Sequence, residues 1–462
     1  MLNSGLHHDE EPIVAHASGQ GSAAIAILRF SGRACHDALL ACLKRKNPQK
    51  VWQMNFMTLC EFYDPRTHIG IDEVMVVFFR APHSYTGQDT AEIYFHGSPY
   101  ILQTALSIFY TLGFRHAEPG EFTRRAFLSG KMDLSEAEGI HELISASSQQ
   151  QWLAARQLYT GKLKDLVDSL FFQLKEAIAW LEASIDFPEE DDTSQITQGQ
   201  IRSRVDKVRK ILDDLLASYQ SGRVASQGLA VAIFGEPNVG KSTLLNTLLN
   251  AERAIVTEFP GTTRDYLEEA CLINGRLIRL IDTAGVRKGK EVEKIEQMGI
   301  DRTFALAKTA DLVIFLVENP LQKVSQEKVN KWIQELAPPS YLKVLSKSDL
   351  KVPIAEAEGW LRISCHSGEG LNTLKEKIQK ISDQVLLPLS DQPFISSVRH
   401  KQAVENALRG ITSFLKASDE GAYPEILAFE LQQTAKCLVS IIGEFTTEEI
   451  LDIVFGSFCV GK

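Results

Sequence analysis

The residues with the clearest chemistry lie in Leu229–Thr243, which reads LAVAIFGEPNVGKST. An apolar run, Leu229 to Phe234, feeds a glycine turn that ends in Gly-Lys-Ser. Gly235 to Ser242 therefore fits the phosphate-binding pattern G-x-x-x-x-G-K-S/T, with a strand before it and an apolar helical pattern after it. Glycines let backbone N–H groups turn inward around phosphate oxygens, and the following helix adds the positive end of its dipole. In this loop Asn238, Val239 and Gly240 lead to Lys241, whose charge suits the β- and γ-phosphates. The Ser242 hydroxyl, with Thr243 beside it, can ligate Mg²⁺. The pattern predicts binding of a nucleoside triphosphate.

Three further segments narrow the nucleotide. Leu277–Gly285, LIRLIDTAG, is a second buried strand ending in Asp282, Thr283, Ala284 and Gly285. Asp282 is suited to reach Mg²⁺ through water, and the Gly285 N–H to sense a γ-phosphate. Between them lies a loop of Thr257, Glu258, Phe259, Pro260, Gly261, Thr262 and Thr263, whose threonines can close over the metal. Tyr341–Leu350 is a third strand ending in Ser346, Lys347, Ser348 and Asp349. A carboxylate there accepts two hydrogen bonds from guanine N1–H and its 2-amino group, which adenine does not offer. Leu361–Gly370 brings Ser364, Cys365 and His366 toward the base. These units, separated by helical patterns, predict a doubly wound parallel sheet with ligand at the strand C-termini.

Departures from the common pattern are informative. GTPases usually carry Asn where this chain has Ser346, so guanine selectivity is expected to rest on Asp349 with weaker affinity. The last motif reads Ser-Cys-His rather than Ser-Ala-Lys. Ras-type enzymes orient the attacking water with Gln directly after Asp-x-x-Gly; here Val286 stands there and cannot hydrogen-bond water. Asn238 is either a turn residue or the holder of a monovalent cation beside the β- and γ-phosphates.

The remaining sequence must position these groups. Residues from about 12 to 118 mix apolar runs (Ile25–Phe30, Val74–Phe79, Ala91–Phe95) with short helical patterns, which predicts an α+β domain. From Thr123 to about Gln220 the pattern is helical, with Phe171, Leu174, Ile178, Leu181 and Ile185 at three- and four-residue steps. The polar stretch Ser221–Gln227 leads into the GTPase unit, where Asn274-Gly275 signals a hairpin turn. Helical periodicity returns from about His400. The fold class is multidomain: an α+β N-terminal domain, an all-α helical domain, and an inserted α/β P-loop GTPase domain. The expected boundaries are 1–122, 123–222 for the first helical half, 223–384 for the GTPase unit, and 385–462 for the second helical half.

Asn238, Val286 and the loop Gly261-Thr262-Thr263-Arg264-Asp265 resemble the TrmE–Era–EngA group of GTPases. The tail Phe458-Cys459-Val460-Gly461-Lys462 is similar to the F-C-I-G-K tail of the MnmE (TrmE) family. Pro82–Gly87, His96–Pro99, Pro119–Leu128 and Gly130–Leu134 resemble that family's N-terminal signatures in the same order. The resemblance implies a potassium-activated GTPase that acts as a homodimer. With a flavin-dependent MnmG partner, in a heterotetramer, it would place an aminomethyl or carboxymethylaminomethyl group on C5 of the tRNA wobble uridine. By the same resemblance, Asn238, Thr257, Phe259 (by its carbonyl) and Thr262 would surround K⁺, and Ser242 and Thr263 would hold Mg²⁺. Glu296 would orient the water, with Glu293 as the alternative. Arg29, Glu92, Lys131 and Lys462 would bind a reduced folate, 5-formyl- or methylene-tetrahydrofolate. The cations would take its carboxylates and Glu92 its amino-pterin edge. Cys459 is either a chemical thiol beside that folate or a small apolar residue.

Composition bounds these readings. The 462 residues carry a formal net charge of −10 and seven cysteines without C-x-x-C spacing, which suits a reducing cytosol. No run of apolar residues approaches a membrane span and the N-terminus is polar, so the expected location is cytoplasmic. An acidic chain argues against nucleic-acid binding by bulk charge. Lys44-Arg45-Lys46 and Arg124-Arg125 are the local basic patches, read as solvated surface or as RNA contacts. The rival function is a regulatory GTPase switch in RNA or ribosome assembly without modification chemistry.

Overall fold

The computed structural model describes residues 11–19, 21–45, 51–186, 191–251, 268–281, 304–318, 323–350, 359–386 and 392–461. Of 191–198, 251, 268 and 323–325 it describes the backbone alone. The chain divides into two compact units: described residues up to 137 with 445–461, and those from 138 to 444. Among the described residues, no helix is long and apolar enough to cross a membrane.

The first unit is built on seven strands: β1 (Ile13–His16), β2 (Ala23–Ser31), β3 (Leu43–Arg45), β4 (Thr58–Tyr63), β5 (Gly70–Phe79), β6 (Thr90–Gly97) and β7 (Arg115–His116). They form one sheet in the order β3-β4-β5-β6-β2-β1-β7, antiparallel except for β1 with β7. In β4, Thr58, Cys60 and Phe62 are buried while Leu59 and Glu61 face out, the two-residue period of a sheet covered on one face. The helices α1 (Cys35–Leu40), α2 (Pro99–Thr111) and α3 (Glu121–Leu128) follow in sequence. The core gathers Phe30, Phe62, Phe78, Phe95 and Phe109, with Phe30 edge-on to Phe109 at 4.7 Å; each such ring contributes roughly 1.5–3 kcal/mol by leaving water. The C-terminal helix Glu448–Gly456 belongs to this unit, its Leu451 and Phe455 packed on Leu134 and Ala137. The tail is thus tied to the N-terminal sheet unit, whereas the sequence reading ran the second helical half on to 462.

The second unit begins within α4 (Leu134–Ser145) and continues through α5 (Gln149–Tyr159), α6 (Lys162–Asp186), α7 (Asp191–Ala217) and α8 (Tyr219–Gln227). Ser148 and Gln151 close a capping box at the start of α5. The buried stripe of α6 is Leu163, Val167, Leu170, Leu174, Ala177 and Leu181. Phe171 and Ile178, expected in that stripe, are only partly buried at its border. The expected polar stretch Ser221–Gln227 is instead a helix. Gly222 permits this, because a Cβ there would stand 2.3 Å from the Ile395 carbonyl.

The GTPase unit follows: β8 (Leu229–Gly235), α9 (Lys241–Ala251), β9 (Glu268–Ile273), β10 (Arg276–Ile281), β11 (Leu312–Val317), α10 (Lys323–Leu336), β12 (Ser340–Leu345), β13 (Leu361–Arg362) and α11 (Leu371–Val385). The sheet order is β13-β12-β11-β8-β10-β9, parallel except for the β9–β10 hairpin. Asn274 and Gly275 turn that hairpin with φ of 50° and 77°, the positive pair that matches strand twist. The chain then returns to the helical bundle through α12 (Val398–Asp419) and α13 (Pro424–Val439), which share one core with α6 and α7.

Helix α8 fastens the bundle to the GTPase sheet. Asp311, buried before β11, accepts from the Ala230 N–H at 2.9 Å and Gln220 Nε2 at 2.7 Å, and pairs with Arg223. On the other side, Gln151 Nε2 donates to the Ser226 carbonyl at 2.9 Å. Nearby, Glu138 takes Arg399 through two bonds of 3.0 and 2.9 Å and lies 2.9 Å from His400 Nε2. Burial alone would raise the Glu138 carboxyl, but the charges of His400 and Arg399 outweigh it and bring it to about 2. Burial pushes Glu142 up to about 7, partly offset by its bond to Ser226 and reinforced by Glu138.

Candidate functional site

The phosphate loop sits where β8 meets α9. Gly235 closes the strand against β11, with no room for a Cβ 2.3 Å from the Leu316 carbonyl. Asn238 and Gly240 adopt φ of 66° and 98°, and between them Val239 is buried as an apolar plug. That alternation turns the loop around a concavity while keeping Asn238, Ser242 and Thr243 exposed. Lys241 Nζ donates to the carbonyls of Gly235 at 2.8 Å and Glu236 at 2.7 Å. These neutral acceptors are ones a phosphate would replace with stronger charge-assisted bonds.

The base-reading segments meet at the C-terminal ends of β12 and β13. Ser346 and Ser348 are buried, and Lys347 has φ of 55° and pairs with Glu318 at 2.9 Å. The Ser348 N–H donates to the Ile363 carbonyl at 3.1 Å, and its hydroxyl to Glu369 at 3.0 Å. The Ser364 hydroxyl hydrogen-bonds Asp349, and that bond, then the Asp349 backbone N–H and the charges of His366 and Lys347, hold this carboxyl below the usual range. Ser364 Oγ also accepts from the N–H groups of His366 and Ser367 at 3.3 and 3.1 Å. Asp349 is therefore an oriented anion beside Ser364, Cys365 and His366, able to accept two parallel donors. Burial raises the Cys365 thiol, with Thr247 bonded to it.

The sequence-predicted set is only partly covered. Thr257, Glu258, Phe259, Pro260, Gly261, Thr262, Thr263, Asp282, Thr283, Ala284, Gly285, Val286, Glu293, Glu296 and Lys462 lie outside the described residues. Sequence reasoning missed Glu318 and Glu369 as partners of the base-reading motif, and the six-residue buried run Leu312–Val317, whose unbroken apolar character was the available signal.

In the first unit, Arg29 and Glu92 face one another as paired residues of β2 and β6. The guanidinium holds Glu92 Oε1 at 2.9–3.0 Å, and Tyr94 donates to Oε2 at 2.8 Å. Arg29 also lies over the rings of Tyr85 and Phe122 at 5.6 and 6.0 Å. The sequence reading gave Arg29 and Glu92 opposite ends of a long ligand. In the structure the two side chains are in direct contact with each other. Lys131 is exposed, and its Nζ donates to the Pro82 carbonyl at 2.8 Å. The signature segments are brought together by Ser31–Thr86 at 2.7 Å, Arg125–Gln88 at 2.9 Å and Tyr85–Thr123 at 2.9 Å.

The tail completes this region. Val460 bridges Pro119, the Gly120 N–H donates to the Cys459 carbonyl at 3.3 Å, and Arg29 Nη1 donates to Gly461 O at 3.4 Å. The Cys459 side chain is half-buried. In the patch Arg124-Arg125 the second residue is not solvated charge. Arg125 is 1% exposed and donates to the Glu11 carbonyl at 2.9 Å and Glu121 at 3.1 Å, while Arg124 pairs with Glu448 at 2.5 Å. The Arg125 guanidinium is spent inside the unit.

The family description "MnmE helical domain" matches residues 134–459, and "GTP-binding protein TrmE N-terminus" matches residues 12–131. The tRNA modification GTPase MnmE of Aquifex aeolicus is 38% identical over 98% of this chain and 100% of its own length. That of Thermotoga maritima is 36% identical over 98% and 100%. That of Akkermansia muciniphila is 38% identical over 98% and 99%.

Proposed function

Because this chain belongs to the MnmE family of tRNA modification GTPases, we propose that it uses GTP hydrolysis to drive modification of the tRNA wobble uridine at C5. The supporting observation is a glycine turn with Lys241 after β8 and the oriented Asp349 carboxylate after β12, both at strand C-termini of one sheet, in a chain matched over 98% of its length by such enzymes. Backbone N–H groups of the 235–242 loop and Lys241 bind the phosphates, and Asp349 accepts from the guanine N1–H and 2-amino group. Ser242 and Thr263 hold Mg²⁺, which neutralises charge on the β- and γ-oxygens. Asn238, Thr257, the Phe259 carbonyl and Thr262 surround K⁺, and Glu296 orients the attacking water. The exposed Asn238, held at positive φ, is accessible to such a cation.

The proposal extends to the first unit, where Arg29, Glu92, Lys131 and Lys462 bind a reduced folate and Cys459 stands beside it. With Arg29 bonded to Glu92, that pair takes the pterin end, where a carboxylate accepts from ring N–H and amino groups. Lys131 and Lys462 are left for the glutamyl carboxylates. The protein works as a cytoplasmic homodimer with an MnmG-type flavoprotein, adding an aminomethyl or carboxymethylaminomethyl group. Its domains run 1–122, 123–222, 223–384 and 385–462, with the last piece returning its tail to the first unit.

GTP hydrolysis in KCl and NaCl at matched ionic strength, over a range of protein concentrations, tests the cation and the dimer together. Strong K⁺ stimulation that rises with concentration is expected. Equal rates in both salts would remove the cation and leave a switch-type GTPase.

A further inference from the structure

Ser346 occupies the first position of the guanine-reading motif, yet its chemistry points inward. Its side chain is 5% exposed, and its hydroxyl lies 2.7 Å from the Val239 carbonyl and 3.2 Å from that of Val317. The Val317 carbonyl already accepts the Ser346 N–H at 2.8 Å. A serine hydroxyl has one proton, and the shorter contact commits it to Val239. What remains on Ser346 Oγ is lone pairs alone. The edge of guanine that carries O6 and N7 also presents only acceptors. Ser346 can read that edge only by releasing Val239.

We propose that Ser346 is a positioning residue that ties the base-reading segment to the phosphate loop and makes no contact with the base. The inference rests on the GTPase reading above. Val239 lies between two residues of positive φ, Asn238 and Gly240. In a trans peptide the C=O and the next N–H point in opposite directions. Holding the Val239 carbonyl inward therefore aims the Gly240 N–H outward, into the concavity that receives phosphate. One hydroxyl on β12 thereby sets the direction of a donor on the β8–α9 turn. An Asn at this position, the usual residue of such GTPases, has two amide protons and can hold the carbonyl with one while keeping another for the base. Serine keeps only the tether.

The test compares GDP with GMP, since only GDP reaches deep into the phosphate loop. Dissociation constants are measured by competition with a fluorescent guanine nucleotide, for the parent chain and for Ser346→Ala. Loss of one buried hydrogen bond predicts about fivefold to tenfold weaker GDP binding, with GMP changed less than twofold. Equal losses for GDP and GMP would make Ser346 a base contact, and unchanged GDP binding would make the tether idle; either overturns the proposal. Ser346→Cys, nearly isosteric with a weak donor, keeps the test valid if the alanine variant does not fold. It should weaken GDP about threefold and spare GMP, and the same two contrary outcomes apply. Ser346→Asn should bind GDP at least as tightly as the parent. A parent that shows no preference for guanine over adenine nucleotides would defeat the GTPase reading itself, a result distinct from any variant effect.

Discussion

Lys241 and Arg29 are cations in two different units, and they are kept in opposite ways. Lys241 is held by two neutral backbone carbonyls of its own loop. Arg29 is held by a carboxylate across the strand pair, with aromatic rings at 5.6 and 6.0 Å and a tail carbonyl at 3.4 Å. A phosphate arriving at Lys241 displaces weak acceptors and gains charge-assisted bonds. An anion arriving at Arg29 must compete with Glu92 for the same guanidinium. The nucleotide loop is thus prepared to exchange partners, whereas the Arg29–Glu92 pair is prepared to remain a pair and present itself as one unit.

The contrast can be broken most sharply at Lys241. Lys241→Ala should weaken GTP binding at least ~100-fold, while the unfolding midpoint of the nucleotide-free protein moves little. A large loss of stability without ligand would show that the ammonium is a structural pillar and dissolve the distinction.

Glu142 is a third case, a carboxyl whose charge is disfavoured, with Oε2 buried and unpartnered. Its carboxyl, ordinarily near 4.5, is raised to about 7. The stability it contributes is complete below about 4.5 and is lost as pH climbs through about 7. Glu138 runs the other way, its contribution present above 4.5 and lost as pH falls toward about 2. Glu142→Gln should remove ~2–3 kcal/mol of the decline in unfolding free energy between pH 5 and 8. Denaturant titrations across that range decide it, and an unchanged slope would reject the assignment.

The smallest effect is expected at the strand pair. Glu92→Gln keeps a hydrogen-bond acceptor but removes the counter-charge of Arg29, which should cost about 1–2 kcal/mol of unit stability. The freed guanidinium should then gain affinity for a simple dianion such as sulfate. Titration with sulfate, followed by thermal melting, checks this; no gain would mean that Arg29 is held by its rings and the tail rather than by charge.

The two sites also differ in how legible they were. Gly235–Ser242 and Ser346–Asp349 are contiguous because a strand end and the following turn supply neighbouring donors, so spacing alone carried them. The site proposed in the first unit draws on Arg29, Glu92, Lys131 and the tail, where sheet register joins Arg29 to Glu92 and chain return joins it to Gly461. Individually each looks like surface charge, and Arg125 was misread as such because its partners are the Glu11 carbonyl, Gln88 and Glu121. The helix α8 was hidden by polar residues whose burial comes from close backbone approach at Gly222, a feature with no periodic signal. Strands β8, β10 and β12 were visible as apolar runs, while β11 was overlooked because no motif follows it.

The return of the tail has a consequence for how the molecule is made. Arg29 and the Gly461 carbonyl it meets are 432 residues apart. At about 5–20 residues per second, a ribosome takes roughly 20–90 s to synthesise that interval. The first sheet emerges early but waits, with its Pro119–Gly120 edge uncapped, until residues 459–460 leave the exit tunnel. Gly461, which leaves a Cβ only 2.3 Å from the His16 carbonyl, fits that waiting notch with no room to spare. Docking of residues 459–461 therefore comes late in synthesis, and nascent chains interrupted before those residues lack it.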